Sequence, residues 1–455
     1  MRRGLPTDGS SAREARIRRA APASQKSPAK RVSAPWWHQP LLWLLLLASV
    51  TAVNPQIRGE GRRHFAYLRT VVINHTLHFD RTDERSDATI GPSLLWSPFF
   101  LAAHAAVHVA QSRGSQIPAD GLSWPYVWAC AFGTAFYAFL ALWMSYRLAL
   151  RFAKSPAALL ATFVIWLASS LPVYVYVLPF HTHTAAMFSA ALVFSLWLSV
   201  RDGRDSRSRW FVWGLAGGLA IATSFLNGVL LVVALVECVT RLTRPRGFVQ
   251  ALPNGVIFLG GIALVALPAL AIMRMGSTPI FHWTTPQLTA TAFSTDHGAF
   301  VWTPILLLAT LGFVVAIWRQ PALGATLFLS GALFFYLVAA YDGRNGALSY
   351  GSPFLVTITP IFVCGLAALL DGLAGGRGRL AWAVLYSVSG LLILWNLGLM
   401  LQWGTGLIPS RGPVDFHQAA LNQVTIVPRA ARDFVIRYAN DRKGLLSGIG
   451  RDRRE

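Results

Sequence analysis

The feature that most constrains this chain is a series of apolar runs, each about as long as a bilayer core of ~30 Å requires of a helix. Only 13% of the 455 residues are charged and 54% are hydrophobic, whereas soluble domains have ~25% charged residues. Because so few polar side chains cannot cover a globule in water, the composition excludes an ordinary soluble enzyme. The sequence therefore predicts an all-α, polytopic membrane protein.

Eleven apolar runs predict transmembrane helices. They are residues 36–53, 122–146, 157–179, 184–200, 210–225, 227–240, 255–274, 301–318, 322–341, 353–371 and 380–400. The membrane domain is thus predicted at 36–400, between a disordered basic tail at 1–35 and a C-terminal tail at 401–455. A cleaved signal peptide is the alternative for the first run, because Val50-Thr51-Ala52 offers small residues at a cleavage position. The many later spans favour an uncleaved helix.

The distribution of charge predicts which side each connection faces. If residues 91–110 do not cross, the connections on the side of the N-terminal tail carry 22 basic and six acidic residues, and the opposite side carries 18 and 13. This asymmetry places the N-terminus in the cytoplasm, and residues 54–121 and 401–455 outside. If residues 91–110 crossed the membrane, the short basic loops that follow would face outside, against the positive-inside rule. This segment is therefore predicted to lie along the outer face. The net charge of +21 is then an orientation signal and not a nucleic-acid footprint.

Two other functional classes are disfavoured by the residues inside the apolar runs. The three cysteines, Cys130, Cys238 and Cys364, form no spaced pair that would indicate a metal knuckle or a disulfide framework. Glu237 and Asp371 lie near the predicted inner ends of spans, and no acid lies in mid-span. Since proton-coupled transporters keep ionisable groups in mid-membrane, such a transporter is disfavoured.

The first outer loop, residues 54–121, places an acid close to the membrane. Glu60 follows the first span by a few residues and is flanked by Arg58, Arg62 and Arg63. A carboxylate at this depth can accept a proton from an acceptor hydroxyl while guanidinium groups bind a lipid-borne phosphate. The alternative is that Glu60 only pairs with a neighbouring arginine on a hydrated surface.

Several short motifs occur in order between residues 40 and 440. They are Gly59-Glu60-Gly61 followed by His64-Phe65 and Tyr67-Leu68-Arg69-Thr70, the run from Gly91-Pro92-Ser93 to Phe100, the stretch Leu178-Pro179-Phe180-His181-Thr182-His183, His297-Gly298 followed by Trp302-Thr303-Pro304, and Tyr350-Gly351. Together they resemble the GT-C superfamily of membrane glycosyltransferases. The bacterial branch related to dolichyl-phosphate-mannose protein mannosyltransferases is the most similar in its motifs.

The resemblance implies a GT-C fold with juxtamembrane helices in a large first outer loop. It also implies transfer of a sugar from a polyprenyl-phosphate donor to a hydroxyl of a glycan, lipid or protein acceptor on the outer face, with inversion. Glu60 would be the general base. The remaining predicted substrate-binding residues are Arg58, Arg62, Arg63 and Arg344 for the lipid phosphate, together with His64, Arg69, His183 and Tyr350.

Two departures from the family pattern leave alternatives open. Glu60 stands where the family has an aspartate, and Gly351-Ser352-Pro353 lacks the arginine of the family's Gly-x-Arg, for which Arg344 is the substitute. A degenerate, non-catalytic carrier-binding protein and a component of lipid-linked sugar translocation are therefore the alternatives. No cofactor is predicted with certainty, and a requirement for a divalent metal stays open.

Two further clusters of polar residues have more than one interpretation. The acidic run Asp80, Asp83, Glu84 and Asp87 indicates a hydrated loop, with a metal site as the alternative. His181 and His183 are predicted to make interfacial hydrogen bonds, because no set of additional zinc ligands accompanies them. His104 and His108 are four residues apart, so they share one face of the outer helix and are predicted to point toward the lipid headgroups.

Overall fold

The computed structural model describes residues 43–45, 49–77, 88–203, 206–243, 247–272, 279–344 and 349–448. The predicted basic tail and most of the first predicted span lie outside these residues. The acidic run Asp80, Asp83, Glu84 and Asp87, predicted as a hydrated loop with a metal site as the alternative, also lies outside them.

The described chain is all-α, as predicted. Its α-helices are α1 (Glu60–Val72), α2 (Gly91–Ser112), α3 (Trp124–Ala149), α4 (Ser155–Leu167), α5 (Thr182–Asp202), α6 (Arg207–Thr223), α7 (Val232–Leu242), α8 (Gly247–Ile272), α9 (Leu288–Phe293), α10 (Ala299–Trp302), α11 (Pro304–Leu311), α12 (Phe313–Arg319), α13 (Pro321–Ala340), α14 (Thr359–Ala374), α15 (Gly378–Thr405), α16 (Phe416–Thr425), α17 (Val427–Asn440) and α18 (Arg442–Gly448). A π-helical turn at Val173–Val177 and two 3₁₀ segments at Phe225–Leu231 and Pro353–Ile358 complete the helices. Among the described residues, extended pairing is limited to an isolated bridge between Phe281 and Tyr341.

Eight helical segments in the described residues are long and apolar enough to cross a membrane. They are Gly91–Ser112, Trp124–Ala149, Thr182–Asp202, Phe225–Leu242, Ala251–Ile272, Pro321–Ala340, Pro353–Ala374 and Gly378–Thr405. Seven of the eight coincide with predicted spans. The central one is Pro353–Ala374, since 89% of its apolar window is buried, against 22% for Gly378–Thr405.

Two predicted spans are broken helices in the structure. The run at 157–179 ends its α-helix at Leu167 and continues, after Pro172, as the π-helical turn Val173–Val177. The run at 301–318 is divided at Thr303 and Gly312. Proline has no N–H to donate to the preceding turn, which explains why Pro172 and Pro304 each begin a new segment. Apolar length alone does not reveal such breaks.

The contacts between connections sort into two groups that agree with the predicted sides. On the predicted inner side, Arg319 Nη1 donates to the Asp371 carboxylate at 2.6 Å, and Arg151 pairs with Asp202. On the predicted outer side, the loop at 280–287 binds the end of α13, and the C-terminal end of α6 packs against residues 88–91. Which group faces the cytoplasm stays a prediction.

The C-terminal segment, predicted as an outer tail, is helical and folds back on the first loop. Trp403 and Ile408 pack with Trp302 and Tyr350 in one buried cluster. At the far end of the segment, Arg442 Nη2 donates to the carbonyls of Thr51 and Val53, at 2.6 and 3.1 Å. These contacts bring the last described helix next to the residues that precede Glu60.

Helix α2, which the charge rule keeps out of the membrane, contacts α3 both at the predicted outer end of that span and well inside it. Trp96 Nε1 donates to Thr134 Oγ1 at 3.0 Å, and Phe100 packs on Tyr126 near the start of α3. Since α2 is itself long and apolar enough to cross, its position along the outer face stays a prediction.

Cysteine labelling tests the predicted sidedness. In a variant without native cysteines, Asp205→Cys is expected to react with an impermeant maleimide only after the cells are permeabilised, because residues 201–209 are predicted to be cytoplasmic. The matched outer site is Gln116→Cys, which is expected to react in intact cells because Gln116 is exposed. Reaction of position 205 in intact cells would contradict the predicted topology.

Candidate functional site

Glu60 is the first residue of α1, directly after the glycine that caps this helix. Gly59 has a positive φ of +50°, which glycine adopts without the strain that a side chain would add. The backbone N–H groups at the start of a helix are not bonded within it, and the helix dipole is positive there. A carboxylate at this position is therefore stabilised in its ionised form.

The loop between the π-helical turn and α5 lies directly against Glu60. Thr182 contributes both its backbone N–H, at 3.3 Å, and its hydroxyl, at 3.0 Å, as donors to Glu60 Oε2. A Cβ atom on Gly61 would lie 2.5 Å from Cβ of Phe180, so only glycine permits this close approach. Glycine is thus required on both sides of Glu60 for different reasons: at position 59 for the positive φ, and at position 61 for the close approach of Phe180.

Three histidines, His64, His181 and His183, surround the Glu60 carboxylate. Burial alone would raise the pKa of Glu60, but attraction to these histidines and the hydrogen bond from Thr182 outweigh it and lower the pKa to about 2. Burial lowers the pKa of His64 to about 4, and it also lowers the pKa of His181. At neutral pH the site thus holds an ionised carboxylate beside neutral imidazoles.

His64 and Thr182 connect to Glu60 in a short hydrogen-bonded chain. His64 lies one turn after Glu60 on the same face of α1, and its Nε2 is 3.2 Å from Thr182 Oγ1. Because the Thr182 hydroxyl donates to Glu60, its oxygen accepts from the Nε2–H of His64. This arrangement fixes the tautomer of His64 and the direction of the hydroxyl proton.

Helix α2 holds α1 against the loop at 178–183. Ser93 Oγ donates to the His64 carbonyl at 2.9 Å, and the ring of Trp96 packs between those of Phe65 and Phe180. The hydroxyl of Thr134, which accepts from Trp96, donates in turn to the Pro179 carbonyl at 2.9 Å. Three separate sequence motifs therefore meet at Glu60.

The arginines beside Glu60 in sequence are not its partners in space. Arg58 donates to Gln56 and, at 3.2 Å, to the carbonyl of Leu446. Arg62 is exposed and Arg63 is half-buried. Within the part of the chain that the structure describes, Glu60 forms no ion pair with arginine. The alternative in which Glu60 only neutralises a neighbouring arginine does not match this geometry.

Arg69 lies more than two turns from Glu60 on α1. Its Nε donates to the carbonyl of Asp120 at 2.9 Å, which ties α1 to the end of the first outer loop. Its described contact is therefore structural, and its predicted role in substrate binding stays a prediction.

The remaining predicted residues form a path that leads away from Glu60. The ring of His183 lies 4.6 Å from that of Tyr174 and 5.5 Å from that of Phe354. Tyr350 is fully buried beyond Tyr174, and its hydroxyl donates to Asn396 Oδ1 at 2.9 Å.

Tyr350 thus supports the wall of the site and has no open face toward it. Arg344 follows Tyr341, whose ring packs on Phe354, and its Nε is buried without a hydrogen bond to the described residues. Arg344 therefore has donor capacity on the Phe354 side of the site.

Two residues of the site were missed as functional candidates from the sequence. Thr182 was read only as part of a motif, and its hydroxyl proves to be the donor to Glu60. Ser93 also lies in a quoted motif without an assigned role. Their positions inside motifs were the only available signal, since a hydroxyl does not reveal its partner in a sequence.

The site provides no ready metal centre among the residues that the structure describes. These residues contain no group of three or more His, Cys, Asp or Glu side chains arranged to hold a metal ion. Glu60 is linked to His64 through the hydroxyl of Thr182.

Thr182→Val is expected to reduce the activity of the site while Thr182→Ser largely keeps it. Valine has the shape of threonine but removes the hydroxyl that orients Glu60 Oε2, so the pKa of Glu60 is expected to rise. Loss of one positioning hydrogen bond to a charged group corresponds to ~1.5–3 kcal/mol, or ~10- to 100-fold in rate. Transfer kinetics with matched protein levels check this, and equal rates for Val and Ser variants would exclude a role for the hydroxyl.

Comparisons with known proteins give only distant similarity. No protein-family model matches the sequence, and no curated protein matches it. The structure is similar to the apo oligosaccharyltransferase of Archaeoglobus fulgidus, with a TM-score of 0.49 and 12% identity over 81% of this chain and 58% of that chain. This chain therefore spans less than two thirds of that enzyme.

Two further solved structures are similar to the chain. ArnT from Cupriavidus metallidurans bound to undecaprenyl phosphate has a TM-score of 0.44 and 15% identity, over 92% of this chain and 74% of that chain. The A. fulgidus oligosaccharyltransferase AglB in complex with an inhibitory peptide and a dolichol-phosphate has a TM-score of 0.45 and 14% identity, over 82% and 58%. All three TM-scores are below 0.5, so the functional argument rests on the geometry of the site.

Proposed function

We propose that the chain is a membrane glycosyltransferase that transfers a sugar from a polyprenyl-phosphate donor to an acceptor hydroxyl on the outer face of the membrane. Glu60 is the general base in this proposal, and the reaction inverts the anomeric carbon. The proposal agrees with the resemblance of the sequence motifs to the GT-C superfamily.

The observation that carries the proposal is the state of the Glu60 carboxylate. Its pKa of about 2 keeps it ionised at neutral pH. Thr182 bonds only Oε2, and no described residue donates a hydrogen bond to Oε1. Glu60 also follows the first predicted span by a few residues, and the phosphate of a lipid donor is confined to that depth because its chain stays in the bilayer.

The reaction step uses the unbonded oxygen. The acceptor hydroxyl oxygen forms a bond to the anomeric carbon as the bond from that carbon to the phosphate oxygen breaks, and the hydroxyl proton passes to Glu60 Oε1. A carboxylate with so low a pKa is a weak base, so proton transfer is favourable only late, when the attacking oxygen has become positive. The products are the glycosylated acceptor and the polyprenyl phosphate.

The departing phosphate requires cationic hydrogen-bond donors. Arg62 and Arg63 are the side chains closest to Glu60 in sequence that have no described structural partner, and Arg344 has a buried Nε without one. We assign phosphate binding to these three, because guanidinium groups bind phosphate oxygens by charge-assisted hydrogen bonds. Arg58 has less capacity for this role, since it already bonds Leu446.

An apolar cavity of about 520 Å³ provides space for part of the polyprenyl chain. Its lining includes Phe293, Phe300, Phe335 and Phe362, and also Ile358. Ile358 ends the same 3₁₀ segment in which Phe354 contacts His183. Most of the lining lies in predicted spans, where an isoprenoid chain is soluble.

A carrier-binding protein without catalysis is the second candidate, and one observation favours it. The described structure places neutral histidines, not arginines, around Glu60, and Arg58 and Arg69 make backbone contacts. Such a site can hold a lipid phosphate at its rim without stabilising a leaving group.

A donor-turnover assay separates the two candidates. The full chain in nanodiscs is given a panel of polyprenyl-phosphate hexoses and pentoses, with cell-envelope extract as the acceptor source. Release of polyprenyl phosphate together with labelled acceptor of inverted configuration is expected for a transferase. Saturable donor binding without turnover of any panel member would support the carrier-binding protein instead, and a retained configuration would exclude direct displacement.

A further inference from the structure

A pair of histidines on α2 is separate from the Glu60 site and has no role in the proposed reaction. His104 and His108 are four residues apart, so both rings project from one face of the helix. Their Nε2 atoms lie 3.2 Å apart, and their ring centroids are 4.4 Å apart. His108 is exposed and His104 is half-buried.

The ring of His104 is held in place by a buried tyrosine. His104 Nδ1 is 2.7 Å from the hydroxyl oxygen of Tyr126, which is itself fully buried at the start of α3. When Nδ1–H donates to this oxygen, Nε2 of His104 carries a lone pair that points toward His108. A hydrogen-bonded histidine whose second nitrogen is exposed is the arrangement that protein metal sites use to orient a ligand.

The distance between the two nitrogens suits a shared metal ion. Two imidazole nitrogens bound to one tetrahedral zinc at ~2.0–2.1 Å lie ~3.3 Å apart, which is close to the 3.2 Å observed. Histidines at positions i and i+4 of a helix supply two zinc ligands in metalloprotease helices. His108 can release its Nε2 proton and carry the proton on Nδ1 instead, because its ring is exposed.

We propose that His104 and His108 form a two-histidine site for a divalent first-row transition-metal ion, with water completing the coordination. Neutral imidazole suits zinc, copper and nickel, whereas magnesium and calcium prefer oxygen ligands.

The position of the pair gives the metal a defined structural effect. The site lies on α2 and is braced by Tyr126 of α3, and α2 is also the helix that supports α1 through Ser93 and Trp96. A metal bound there restricts the ring of His104 and, through its hydrogen bond, the contact between α2 and α3.

Zinc and copper titrations of the full chain test the proposal. The protein, with any affinity tag removed and treated with a chelator, is titrated with Zn²⁺ in a calorimeter, and Cu²⁺ is added for electron paramagnetic resonance. We expect one ion per chain, a copper spectrum with two equatorial imidazole nitrogens, and a rise in the unfolding temperature with Zn²⁺. If the parental chain binds neither Zn²⁺ nor Cu²⁺, the proposal is wrong.

Matched variants assign the binding to this pair. His108→Gln can keep a hydrogen bond to His104 but supplies no imidazole, so the affinity for Zn²⁺ is expected to fall at least ~10-fold. His417→Ala, which alters an exposed histidine on α16, is expected to leave the affinity unchanged. Equal affinity in His108→Gln and in the parental chain would show that the metal binds elsewhere, and a loss in His417→Ala would do the same.

Discussion

Replacement of Glu60 by glutamine is expected to lower the rate of sugar transfer by ~10²- to 10⁴-fold, the contribution typical of a general base. Glutamine keeps the size of the side chain and can still accept the hydrogen bond from Thr182. It cannot take the proton of the acceptor hydroxyl. Transfer by membranes that contain equal amounts of parental and variant protein measures the difference, and binding of the polyprenyl-phosphate donor is expected to persist.

Glu60→Asp is the matched control for this experiment. Aspartate keeps the negative charge and is the residue of the resembled family, so a mild effect is expected. Unchanged transfer by Glu60→Gln would exclude Glu60 as the base. In that case an acid at 80–87 or the carrier-binding function would become the better explanation.

Removal of the Glu237 carboxylate is expected to cost the protein ~3–5 kcal/mol of stability, because it removes one partner of a buried ion pair. The Glu237 side chain is 1% exposed, and its Oε1 accepts from Arg241 Nε at 2.8 Å. Its Oε2 accepts from Trp197 Nε1 at 3.2 Å. In Glu237→Ala the guanidinium of Arg241, which also lies over the ring of Trp210, loses this carboxylate.

Thermal unfolding in detergent compares this variant with two others. Glu237→Gln retains a hydrogen-bond acceptor for Arg241 and is expected to lose less stability than the alanine variant. Asp433→Ala breaks a pair whose side chains are 72% and 59% exposed, so its loss is expected to stay within ~1 kcal/mol. Equal unfolding temperatures for Glu237→Ala and Asp433→Ala would show that the Glu237 cluster contributes nothing to stability.

The sequence contained the motifs that meet around Glu60, but it did not reveal the electrostatics of that region. The apolar runs predicted most of the long helices, and the motifs around Glu60, Ser93 and His183 do meet in space. The helical period explains the neighbours of the carboxylate: residue 64 follows residue 60 on the same face of α1, whereas positions 62 and 63 turn to other faces. His64 therefore lies beside the carboxylate.

Long-range partners were beyond the reach of sequence reasoning. Arg58 bonds the carbonyl of Leu446, which lies 388 residues later. The hydrogen bond from the Tyr350 hydroxyl to Asn396 could not be predicted from the sequence either. Such partners depend on how the helices pack. That packing cannot be inferred from the length of apolar runs or from the spacing of charged residues.

The contact between Arg442 and Thr51 joins residues 391 positions apart, and this has a consequence for how the protein is made. A ribosome that delivers the chain to the membrane synthesises the helix bearing Glu60 long before the helix that braces it. The pocket around Glu60 is therefore completed last, after the spans have entered the bilayer. Until then, the first loop lacks its C-terminal brace.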